Sequence, residues 1–67
     1  MNPALLRAAI RNVESNIGSV VDADSDPNDI NEEIFVLAFD AAFDAGASED
    51  EAQDIASHVL ESMCVSQ

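Results

Sequence analysis

Leu6, Ile10, Val13, Ile17 and Val20 recur at spacings of four and three, with Arg7, Arg11, Glu14 and Ser15 on the opposite side. That stripe predicts an amphipathic helix. Asn2 is placed to cap it, and Pro3 suits the first helical position, where a missing N–H costs nothing. Gly18 weakens the final turn by about 1 kcal/mol relative to Ala, so a helix over about 3–20 should fray or end near it. A second helix is expected from Pro27 to residue 45, stopped by Gly46 as a left-handed cap. The third, over about 49–64, is announced by Ser48 and Glu51, whose spacing is that of a capping box. Ala52, Ile55, Ala56, Val59, Leu60 and Met63 form its apolar face, and Asp50, Asp54, His58 and Glu61 point away.

No stretch alternates as a strand does. The pattern predicts an all-α fold over residues 1–67, a small three-helix bundle joined helix–loop–helix–turn–helix. The second helix is unusual. Ile30, Ile34, Leu37, Ala38, Ala41 and Ala45 form one face, and Phe35, Phe39, Ala42 and Phe43 continue it round the side. Only Asp29, Glu33, Asp40 and Asp44 make a consistently polar strip. A helix apolar over most of its circumference is central in its fold or covered by another chain. Two neighbours cannot cover all of it, so a homodimer through Phe35, Phe39 and Phe43 stays open beside a monomer.

Sixty-seven residues bury a thin core, and Cys64 as the lone cysteine excludes an internal disulfide. With no signal peptide evident, a reducing, cytoplasmic setting is expected. No apolar run is long enough to span a bilayer.

Charge changes the picture most. The formal net charge is −12. Both cations, Arg7 and Arg11, fall in residues 1–21 beside one acid, Glu14, whereas residues 22–67 carry thirteen acids and no Lys or Arg. Such a chain repels nucleic-acid phosphates and anionic membranes, and it lacks the Trp and Tyr platforms of a single-strand binder. Its asymmetry points instead to a basic partner.

Among candidate sites, Asp22, Asp24, Asp26 and Glu33 sit where an EF-hand loop places calcium ligands. Pro27 occupies the position that needs glycine, however, and Asp29 stands where an aliphatic residue is usual. Asp26 as N-cap, Pro27 at the first helical position and Asp29 two residues on explain the same letters as a helix start. His58 shares a helix face with Asp54 and Glu61, but further metal ligands are not evident, and a solvated histidine is the simpler reading. Acids crowd Cys64 and no cation activates it. There is no Gly-rich phosphate loop and no nucleophile with its base, so neither catalysis nor a cofactor is expected.

The acids as a group remain. Acids three or four residues apart on a helix have Cβ atoms about 5–6 Å from each other, close to the spacing of successive phosphates. Asp29, Glu33, Asp40 and Asp44 on the second helix, with Asp50, Asp54 and Glu61 on the third, could form one negative surface. In size, charge and lack of lysine the chain resembles the DNA-mimic inhibitors that phages and mobile elements direct against restriction, CRISPR or transcription machinery. The resemblance is one of composition and involves no motif, so it assigns no residue roles. It implies a partner with a basic, nucleic-acid-handling surface, met in the host cytoplasm if the chain is phage-encoded. Three other readings stand beside it: a halophile's module whose acids serve solvation, a helical adaptor using the phenylalanine face, and a calcium binder at 22–33.

Overall fold

A computed structural model describes residues 2–20 and 26–63. They form three helices, α1 (Pro3–Val20), α2 (Pro27–Asp44) and α3 (Glu49–Met63), in an all-α bundle. The side chain of Val20, the acids Asp22 and Asp24, and Cys64 lie outside the described residues.

Each helix start follows from its capping residue. The Asn2 side-chain oxygen accepts from the Ala4 N–H at 2.9 Å. Asp26, in extended conformation ahead of Pro27, accepts from the Asn28 N–H at 2.9 Å. The Ser48 hydroxyl accepts from the Glu51 N–H at 3.2 Å, half of the expected capping box. These bonds satisfy amides that have no partner inside the helix.

α1 runs through Gly18 to Val20, the bounds its pattern predicts. Gly46 does end α2. With φ of 105° it takes the conformation that side chains oppose. Its N–H donates to the Phe43 carbonyl, and the Ala47 N–H donates to that of Ala42 at 3.0 Å. This is the Schellman pairing, completed by the apolar contact expected between Ala42 and Ala47, both buried. The turn reverses the chain within a few residues and lays α3 back along α2.

Packing centres on α2. It contacts α1 and α3 about equally, while those two touch each other sparingly. The longest dimension, 34 Å, is little more than the roughly 27 Å of an 18-residue helix. The bundle is therefore one helix long.

The core consists of Ala9 and Val13 from α1, Ile34, Ala38 and Ala42 from α2, Ala47 from the turn, and Ala52, Ile55, Ala56 and Val59 from α3. Six of these ten are alanines, so the helices can approach closely, but each buried side chain contributes little apolar area. The α3 face matches its sequence pattern. On α2 the pattern needs correcting: Ala42 is fully buried and Ala45 is exposed. With two neighbours to face, the buried line Ile34–Ala38–Ala42 bisects the two contact edges. Leu37 and Ala41 lie along one edge, Phe35 and Phe39 along the other, all half-buried.

Two glycine substitutions should have opposite signs. An added Cβ meets nothing within 4 Å at either Gly18 or Gly46, so conformation alone decides. Gly18→Ala should stabilise by roughly 0.5–1 kcal/mol, and Gly46→Ala should destabilise by about 1–2 kcal/mol. Ile55→Ala, at a fully buried position, should cost about 2–5 kcal/mol. Urea unfolding followed by circular dichroism checks all three.

Candidate binding surface

The outer side of α2 can be followed round the helix, starting from its α1 edge. That edge is fixed by a hydrogen bond: the Asn12 amide donates to the Leu37 carbonyl at 2.9 Å. Asn16 supports Asn12 from the next turn, donating to its backbone and side-chain oxygens at 2.8 and 2.9 Å. This short polar ladder sets α1 against α2. It was not singled out in the sequence, although two asparagines four apart beside an apolar stripe were its signal.

At 3.6 residues per turn, Glu33 and Asp44 come next to the Leu37–Ala41 edge, followed by Asp29 and Asp40. Asp29, Asp40 and Asp44 are exposed and Glu33 is half-buried. Beyond them, further from α1, come Val36 and Phe43, then Phe39 and Phe35 towards α3. The three rings form a ladder, with centroids 6.3 Å apart for Phe35–Phe39 and 6.0 Å for Phe39–Phe43. Phe35 and Phe39 are half-buried, whereas Phe43 is 53% exposed and Val36 44%. Sequence reasoning assigned Val36 no role. Its signal was its place seven residues before Phe43, on the same line of the wheel. Glu32, also exposed, stands four residues before Val36.

On α3, Asp50, Asp54, His58 and Glu61 are exposed, on the side away from the core. By the same wheel, the phenylalanine ladder falls between the α2 row and the flank of α2 that faces α3.

Both arginines line an open groove of about 740 Å³ between the first half of α1 and the last turns of α2. Ala4, Ala8, Ala41 and Ala45 line it with small side chains, and Asp44 shares it. No helix carries a basic residue in its last turn. Arg7 and Arg11 thus bring positive charge to the negative end of the α2 dipole, which α2's own sequence does not supply.

The described part of the 22–33 stretch, residues 26–33, runs as a helix start. Asp26 caps, and residues 27–33 form the first two turns of α2, where an EF-hand loop would still be wrapping round its ion. Among the described residues, no three His, Cys, Asp or Glu side chains gather as a metal-binding group. No helix among them is long and apolar enough to cross a membrane. Comparison with known proteins finds no matching family model, curated protein or solved structure.

Replacing both arginines by glutamine should lower stability by roughly 0.5–1 kcal/mol at low salt. The gap from the parent protein should narrow in 0.5 M KCl, because screening removes most of a surface electrostatic effect at that strength. Thermal melts at two salt concentrations check this.

Proposed function

We propose that this protein binds a basic surface on a nucleic-acid-handling protein and blocks it, as a DNA-mimic inhibitor of the kind phages and mobile elements direct at defence systems. The observation that carries this reading is the one-sided charge. No Lys or Arg follows Arg11 anywhere in the chain, and Asp29, Asp40, Asp44, Asp50 and Asp54 are exposed on the outer sides of α2 and α3. Glu33 adds to the α2 row from a half-buried position. Carboxylates so arranged steer a basic partner toward the bundle and repel acidic ones. The concentration of acids beyond α1 sets this reading apart from halophilic solvation, which would spread them over every face.

A second reading has its own support. Val36 and Phe43 leave an apolar strip on the outer side of α2, which suits a helical adaptor or a homodimer, with acidity serving solubility.

A pull-down from nuclease-treated host lysate, with the captured proteins identified by mass spectrometry and assayed for nucleic-acid binding, tests the first reading. The expected result is a nucleic-acid-binding protein, released by high salt and inhibited by the parent protein. Changing Asp29, Asp40, Asp44, Asp50 and Asp54 to Asn should weaken capture at least tenfold. Capture that survives both those changes and 0.5 M salt would sink the acidic-surface reading.

A further inference from the structure

Val36 and Phe43 are the large hydrophobic side chains left substantially exposed among the described residues. Seven residues apart, they lie on one line along α2, two turns or about 10 Å from each other. Phe39 stands beside that line, and its ring contacts with Phe35 and Phe43 hold the ladder in place. An aromatic side chain fixed in this way is ready to anchor a partner with little loss of side-chain entropy.

The border of this ridge narrows the choice of occupant. Asp40 follows Val36 by four residues and precedes Phe43 by three, so it lies against both. Asp29, Glu33 and Asp44 extend its row, and Glu32 stands near the N-terminal end of the ridge. Whatever covers the apolar strip must bring its rim against carboxylates. A second copy would bring its own acidic rows and its own net charge of −12, placing like charges together where they are most costly. A purely basic surface would satisfy the acids and press hydrated cations onto Val36 and Phe43.

We infer that the ridge docks a basic amphipathic helix, with apolar residues at helical spacing seated on Val36, Phe39 and Phe43. Lysines or arginines on both sides of its stripe meet Asp29, Glu33, Asp40, Asp44 and Glu32. Their long aliphatic stems cover the margins of the ridge while the charged ends reach the carboxylates. This rests on the proposed binding of a basic partner and specifies the partner's contact element: a helix whose apolar face is flanked by basic residues.

The test uses two synthetic fluorescent peptides of identical Leu/Lys composition, one with Leu in a helical stripe and one scrambled. Binding is read by anisotropy at low and moderate salt. The striped peptide should bind at least tenfold more tightly than the scrambled one. Phe43→Ala should remove most of that advantage, and Val36→Ser should remove part of it. Both positions are exposed, so the helical circular dichroism spectrum should be retained. Asp40→Asn with Asp44→Asn should weaken both peptides and flatten the salt dependence. Equal binding of the two peptides, unaffected by Phe43→Ala, would overturn the ridge inference while leaving the acidic-surface reading standing. If neither peptide binds but salt-sensitive capture of a nucleic-acid-binding protein persists, the ridge inference again fails alone. A concentration-dependent dimer in sedimentation that Phe43→Ala dissociates would assign the ridge to a second copy and overturn it.

Discussion

The bundle depends on α2 being held from two sides. It carries apolar residues round most of its circumference, so it is stable only where both flanks are covered. α1 does this along Leu37 and Ala41, tied by the Asn12 amide to the Leu37 carbonyl, and α3 covers the opposite flank. The buried line Ile34–Ala38–Ala42 is a consequence of that sharing. So is the exposed remainder: two helices leave one arc of α2 uncovered, and that arc contains the acids, Val36 and Phe43. Core and candidate surface have the same origin, the composition of one helix.

Charge works against this arrangement. Thirteen acids beyond residue 21 repel one another, and an alanine-rich core offers modest apolar burial in return. Local devices reduce the strain. Glu49, Asp50 and Glu51 sit in the first turn of α3 and Asp29 in that of α2, where the helix dipole favours negative charge. Asp44 is the contrary case, an acid in the last turn of α2. Arg7 and Arg11 line an open groove with it at that end. The two cations of an otherwise anionic protein thus have a place in the fold, which their position opposite the apolar stripe of α1 did not reveal.

Much of the architecture was legible because it is local. Asn2, Asp26, Ser48 and Gly46 act within a few residues of themselves, so their capping roles follow from spacing alone, and the α3 face follows from its single partner side. The α2 face was misassigned in detail because a wheel shows where apolar residues lie but not how many neighbours will share them. With two neighbours Ala42 becomes central, whereas Ala45, on the buried line by the wheel, is exposed because α2 ends before it. The same lack of long-range information hid the role of Asn12, whose acceptor is twenty-five residues away. Of the calcium-like letters, Asp26 and Pro27 start α2 as their spacing suggested, Pro27 through its fixed backbone angle.

The two proposed uses of the outer surface, acidic mimicry and apolar docking, first read as rivals because the sequence gives them separate residues. On the helix Asp40 is four residues after Val36 and three before Phe43, neighbouring both, so a partner that reaches one set would reach the other. The two sets then contribute to different stages of association. Carboxylates act over a Debye length of about 8 Å at physiological salt, far enough to raise the encounter rate, but exposed pairs add little to the lifetime of a complex. An apolar ridge acts only on contact, and burying it slows dissociation, which is where related interfaces differ most. On the proposed reading both have a use: charge alone would bind many basic surfaces briefly, whereas Val36 and Phe43 would discriminate among them by requiring a matching apolar face.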